Sequence, residues 1–144
     1  MEPPGSGRHA LGCMRFVRTD DLKTWGVGED ELSWNAIKNL ESFTGKLPIC
    51  EFGGESGGKA VAINANDGYD AARILLPGLH ERLNGLLGES FLVAVPCRDL
   101  LVAFERKREL VTFMRPRIEE DANLGAYGLT DALFICGPDG IRPA

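Results

Sequence analysis

The stretch Phe91-Leu92-Val93-Ala94-Val95-Pro96-Cys97-Arg98-Asp99-Leu100-Leu101-Val102-Ala103-Phe104 decides the fold. Two continuous apolar runs, Phe91–Val95 and Leu100–Phe104, flank the polar corner Pro96-Cys97-Arg98-Asp99. Neither run alternates polar with apolar, so each reads as a strand covered on both faces or placed centrally in a sheet. The corner reads as a tight reversal, which makes the pair a buried hairpin.

Immediately upstream lies Asp67-Gly68-Tyr69-Asp70-Ala71-Ala72-Arg73-Ile74-Leu75-Leu76-Pro77. Asp67 reads as the N-cap of a helix, with Asp70 three places on as a capping-box-like acid. Ala72, Leu75, Leu76, Leu79, Leu83, Leu86 and Leu87 follow at helical spacing and form its apolar stripe. Pro77 interrupts that stripe, because its ring blocks the bond to the carbonyl four residues back. A kink, or a fresh helix starting at Pro77, is predicted there. Gly88 stops the run.

Further upstream, Leu47–Phe52 and Lys59–Asn64 read as two strands of a hairpin, with Pro48 marking a strand start or a sheet edge. Their link, Gly53-Gly54-Glu55-Ser56-Gly57-Gly58, superficially resembles a phosphate loop. It lacks the Gly-Lys-Ser/Thr ending, and a strand follows it where a phosphate site wants a helix N-terminus. A helix is predicted over Glu29–Thr44. Glu29, Asp30 and Glu31 crowd its start, Leu32, Ala36, Ile37, Leu40 and Phe43 form a core-facing stripe, and Gly45 stands as its stop. Trp34 falls partly off the stripe. A shorter helix starts at Thr19, with Asp20 and Asp21 in its first turn. Cys13–Arg18 alternates weakly, as an entering strand would. Residues 1–12 are rich in Pro and Gly and read as a disordered tail, which leaves 13–144 as a single domain.

Downstream, Arg106–Asn123 is ambiguous. Val111-Thr112-Phe113 favours a strand locally, and Pro116 should break any long helix. Asp131–Cys136 reads as a strand, Pro138-Asp139-Gly140 as a turn, and Ile141 as the start of a short return. The whole predicts an α+β domain with a central, mainly antiparallel sheet and helices packed on it.

Composition sets bounds on function. The chain has 144 residues, 44% apolar and 26% charged, with a net charge of −5. Such a chain can bury about 68–70% of its unfolded surface and needs no covalent staple. The acidic balance argues against generic nucleic-acid binding. The one basic cluster, Arg106, Lys107, Arg108, Arg115 and Arg117 around Phe113, is interleaved with Glu109 and followed by Glu119-Glu120-Asp121. Four cysteines at 13, 50, 97 and 136 form no Cys-x-x-Cys pair, so no zinc knuckle is read. They read as reduced and mostly buried, Cys50 and Cys136 above all, in a cytoplasmic protein. No apolar run approaches the ~20 residues of a membrane helix.

Residues 67–77 resemble the most distinctive segment of the YtpQ family, an uncharacterised bacterial family. Arg18-Thr19-Asp20-Asp21-Leu22 with Trp25, the corner Val95-Pro96-Cys97-Arg98-Asp99-Leu100, and Leu133-Phe134 with Asp139-Gly140 agree with it in order. The resemblance covers residues 14–142. It implies an α+β fold, a bacterial cytosolic protein, and a chain corresponding to the C-terminal region of longer members. It implies no activity.

Two polar groups are candidates for a site. Asp67, Tyr69, Asp70 and Arg73 stand at the helix start, and Cys97, Arg98 and Asp99 stand at the strand corner. Capping and turn bonds would account for the aspartates. If both groups border one cleft, Arg73 and Arg98 could hold a carboxylate or a partner's acidic group. A cysteine hydrolase would need a base near Cys97, and of the two histidines, His9 and His80, only His80 lies in the folded region. No metal-ligand spacing and no cofactor motif is present. The balance favours a non-enzymatic module that binds a protein or peptide, or itself. The alternative is a small-molecule binder or cysteine-dependent hydrolase using the Tyr69/Arg73–Cys97/Asp99 cleft.

Overall fold

The computed structural model describes residues 16–52 and 57–144. Cys13, His9, the tail and most of the glycine-rich link therefore lie outside the described residues. The described residues divide into two compact units, one up to Phe43 and the other from Thr44 on.

In the first unit, α1 (Thr19–Trp25) begins where Asp21 Oδ2 accepts the Arg18 N–H at 2.9 Å. It ends at Gly26, whose left-handed φ of 70° closes the last turn with bonds from Gly26 N to Lys23 O and Val27 N to Leu22 O. Next comes α2 (Glu29–Thr44), with its three acids in the first turn. None of its residues is buried, and Ala36 and Phe43 are exposed. The core-facing stripe is thus corrected: spacing shows which side of a helix is apolar, not how fully that side is covered. Residues 16–18 form no strand.

The second unit is built on a six-stranded sheet. Its strands are β1 (Ile49–Phe52), β2 (Ala60–Ile63), β3 (Phe91–Cys97), β4 (Leu100–Glu105), β5 (Leu133–Gly137) and β6 (Gly140–Pro143), in the order β1-β2-β4-β3-β5-β6. Every neighbouring pair is antiparallel. The hairpin read from sequence, β3–β4, occupies the centre, and residues 91–96 and 101–104 are all buried. The predicted α+β architecture is the observed one.

The corner is tighter than predicted. Only Arg98 and Asp99 form the turn, and Pro96 and Cys97 remain in β3. The register slips between Ala94 and Cys97, so Val95 and Pro96 bulge opposite Leu101. A proline has no N–H for a central ladder, and a bulge is where a sheet tolerates one.

Alternation along the strands gives the sheet two buried faces. On one, Ala60, Leu92, Ala94, Val102 and Phe104 pack against Leu110, Met114 and Ile118 of α4 (Arg108–Leu124). On the other lie Phe91, Val93, Val95, Leu101 and Ala103. This face carries the 3-10 helix Ala71–Leu75 and α3 (Leu79–Leu87), which buries Leu79, Leu83 and Leu87.

The helix α4 runs unbroken through Pro116, against the predicted break. Buried residues at 110, 114 and 118 anchor it on both sides of the proline, and their burial outweighs both the lost bond and the local strand preference of 111–113. Thr112 and Pro116 are exposed, so the freed Thr112 carbonyl can meet water. Pro116→Ala should restore that bond. After allowing for the proline's restriction of the unfolded chain, it should stabilise the protein by about 1–2 kcal/mol in urea melts.

Candidate functional site

The helix expected to start at Asp67 does not start there. Asp70 occupies the position before the 3-10 helix, in helical conformation, and makes no side-chain capping bond. Its carboxylate instead turns back along the chain and accepts the N–H groups of Ala65 (2.9 Å) and Asn66 (3.0 Å). Asp67 Oδ1 accepts the Tyr69 N–H at 2.9 Å, an Asx turn. Asn66 and Gly68, at φ 57° and 84°, supply the left-handed residues this loop requires.

The two acids converge on Arg73. Its side chain is 2% exposed, and that of Asp70 is fully buried. Arg73 Nη1 donates to Asp67 Oδ1 (3.0 Å) and Asp70 Oδ1 (2.9 Å), Nη2 donates to Asp67 Oδ2, and Nε donates to Thr44 Oγ1 (3.1 Å). Forked bonds of this kind are the strong form of ion pair. The hydrogen bond from Arg73 holds the Asp67 carboxyl below the usual carboxylate range, partly opposed by burial. No buried side-chain nitrogen or oxygen among the described residues lacks a partner. The Arg73 guanidinium, almost wholly buried, is thus engaged by Asp67, Asp70 and Thr44.

Pro77 sets the boundary between the 3-10 helix and α3. A residue before proline is pushed extended, and Leu76 sits at φ −67°, ψ 125°. The 3-10 helix ends there, and α3 starts afresh at Leu79. A new helix was one of the two expected outcomes, and its start falls two residues later than Pro77.

The sequence-predicted groups are brought side by side, because Ala71 N–H donates to Arg98 O at 3.0 Å. At the corner, Arg98 pairs with Asp99 (3.2 and 3.3 Å) rather than Asp99 bonding its own turn. The Arg98 guanidinium also lies 3.7 Å from the ring centre of Tyr127. The loop carrying Tyr127 docks on β3 through Arg98 N to Tyr127 O (3.0 Å) and Leu129 N to Pro96 O (2.8 Å). That approach needs glycine, since a Cβ at Gly128 would strike the Ala122 carbonyl.

Cys97 is half-buried. His80 is engaged elsewhere. Its Nε2 lies 2.6 Å from Glu89 O, and its ring stacks on Phe91 with centroids 5.9 Å apart. Phe91 opens β3 and Cys97 ends it, six residues or about 20 Å further along. The two do not form a dyad. Cys136 is buried, and burial pushes its thiol pKa up. Cys50 is exposed on the edge strand β1, contrary to the sequence reading, because a short edge strand is covered less than its apolar composition suggests. In the basic cluster, Arg117 stacks on Phe113 (4.3 Å), Arg106 bonds Ser90, and Lys107 lies 3.6 Å from Glu105.

Sequence reasoning missed a concavity of this region. A cleft of about 620 Å³ opens between Ile74–Pro77 with the start of α3 and the β5–β6 hairpin, on the face carrying Val95, Phe134 and Cys136. Its walls are chiefly apolar. Leu75 is 62% exposed and Ile141 39% exposed along it. The sequence carried no signal for it: Leu75 reads as part of the helical stripe, and its exposure and that of β6 belong to the fold.

Among the described residues no strand pairs with the outer edge of β6, which borders this cleft. Ala144 N donates to Leu133 O, which fixes the alternation of the β5–β6 ladder. Residues 140, 142 and 144 face β5, and Ile141 and Pro143 turn their backbone groups outward. The open edge thus offers the Ile141 N–H and C=O and the Pro143 C=O.

These observations define an antiparallel α+β protein with a buried Arg–Asp loop clamp and an apolar cleft beside an open strand. No family model and no solved structure matches the chain. Over 105 residues, 71% of the chain, it is 28% identical to a UPF0354 protein of Bacillus cytotoxicus, of which the match spans 38%. Over 89 residues, 61% of the chain, it is 30% identical to a UPF0354 protein of Listeria innocua, of which the match spans 32%. The chain is similar to uncharacterised bacterial proteins and spans about a third of their length. No helix among the described residues is long and apolar enough to cross a membrane.

Proposed function

We propose that this chain is a peptide-binding module of the bacterial cytosol, akin to the C-terminal region of YtpQ-like proteins, that receives an extended apolar segment of another protein. The observation that carries this reading is the cleft's position beside β6. A strand laid along β6 can bond the Ile141 N–H and C=O. The residue it sets opposite Ile141 projects onto the same face as Ile141, toward the cleft, and so do its neighbours two places away. Main-chain bonds would supply register and affinity, and the apolar walls would supply specificity. Pro143, with no N–H to offer, keeps the edge short and limits indiscriminate pairing. Clefts of this size and composition are typical of binding sites.

The test is selection of peptides from a random twelve-residue library on the full chain, followed by anisotropy titration of the best synthetic peptide. Leu75→Asp and Ile141→Asp should each weaken that peptide at least tenfold, about 1.4 kcal/mol. Both positions are exposed, so melting should hardly change. A selected peptide indifferent to both substitutions would refute the site.

A further inference from the structure

We infer that Glu81 sets the charge of the occupant, so that the segment accepted by the cleft carries a lysine or arginine next to its apolar residues. The inference rests on the peptide-binding reading and adds partner chemistry to it. Among the described residues lining the cleft, Glu81 is the one carboxylate, and no lysine or arginine lines it. Asp139 sits in the turn between two lining residues, Pro138 and Gly140. Arg142, the one cation on β6, belongs to the opposite face, since it pairs with Ile135, which packs toward α4. Glu81 is exposed in the first turn of α3 and makes no ion pair with any described residue.

A first-turn acid also suits the helix dipole. Glu81 stands on the side of α3 opposite the buried Leu79, Leu83 and Leu87, yet at the helix start it lines the cleft. Here Glu81 lines an apolar groove, beside a strand edge that bonds backbone without regard to sequence. A cation on the occupant would meet Glu81 partly shielded from water, and an acidic residue there would be repelled. Backbone pairing gives affinity to any extended segment, and Glu81 then selects among them.

The experiment runs the same library against the wild-type chain and against Glu81→Lys. Wild type should enrich peptides with alternating apolar residues and a Lys or Arg at a fixed offset. Glu81→Lys should instead enrich Asp or Glu at that offset. The wild-type consensus peptide should lose about fivefold in affinity on Glu81→Lys and on raising the salt. Peptides that depend on Leu75 but show no charge preference, or no exchange of preference in Glu81→Lys, would overturn this inference and leave the peptide-binding reading standing. Failure to enrich any Leu75-dependent peptide would overturn both. If Glu81 serves only the dipole, Glu81→Gln lowers the melting temperature slightly and leaves peptide selection unchanged.

Discussion

Arg73→Met should lower the stability of the protein by about 3–5 kcal/mol, the range found when one partner of a buried ion pair is removed. Methionine keeps most of the hydrocarbon stem, so packing changes little and the loss falls on the charges. Without the guanidinium, Asp70 keeps only the two N–H donors of Ala65 and Asn66 in a fully buried setting, and Asp67 loses its fork. In a domain of this size the melting temperature should drop by roughly 10–20 °C. Arg73→Lys restores a positive charge but cannot reach two carboxylates and the Thr44 hydroxyl at once, so it should recover only part of the loss.

The same clamp has a pH signature. Asp67 has its folded pKa depressed by Arg73. Its contribution is therefore complete above the unfolded value of about 3.9 and drains away as pH falls below that value toward the folded pKa. Between pH 5 and 3, wild type should lose stability more steeply than Arg73→Met, because the variant no longer holds that carboxyl down. Urea melts of both chains across that range measure the difference. A variant within 1 kcal/mol of wild type at pH 7, or parallel pH slopes, would show that the clamp does not hold the loop.

The contrast between legible and illegible parts of the sequence has a physical basis. The central hairpin could be read because a strand buried on both faces has no polar residues to interrupt it, and 91–95 and 100–104 have none. The Asp67–Asp70 segment was read correctly as a structural node and wrongly as a helix cap. Two acids three apart ahead of an apolar run satisfy the capping pattern equally well whether they bond forward or backward along the chain. Arg73 decided the matter, and no local rule weighs a cation three and six residues downstream against free backbone N–H groups. Pro116 failed as a breaker for a related reason. Its cost is fixed by local geometry, while the burial of Leu110, Met114 and Ile118 depends on a sheet face assembled from distant residues. The cleft escaped because a concavity belongs to the arrangement of elements. Leu75 looked like part of a helical stripe, and only the 3-10 winding imposed ahead of Pro77 turns it outward.

Phe104→Ala should cost about 3–5 kcal/mol, comparable to losing the clamp but by an unrelated route. Phe104 is fully buried on β4, opposite Leu92 on one side and Ala60 on the other. It packs in the cluster with Leu110, Met114 and Ile118 of α4. Truncation forfeits the transfer free energy of the ring and leaves a void that its neighbours are poorly placed to fill. Ala60, Ala62 and Ala94 on the same face have no length to extend, and the backbone around the site is pinned in the ladder on both sides. Phe104→Leu retains most of the volume and should cost roughly 1–2 kcal/mol. Leu75→Ala, at an exposed apolar position, should stay within about 0.5 kcal/mol. Because Phe104 and Arg73 lie on different faces of the sheet with no shared partner, their losses should add in the double variant. Non-additivity beyond about 0.5 kcal/mol would mean that the two layers are coupled through the central hairpin. A Phe104→Ala loss below about 1 kcal/mol would contradict the packing of α4 on the sheet.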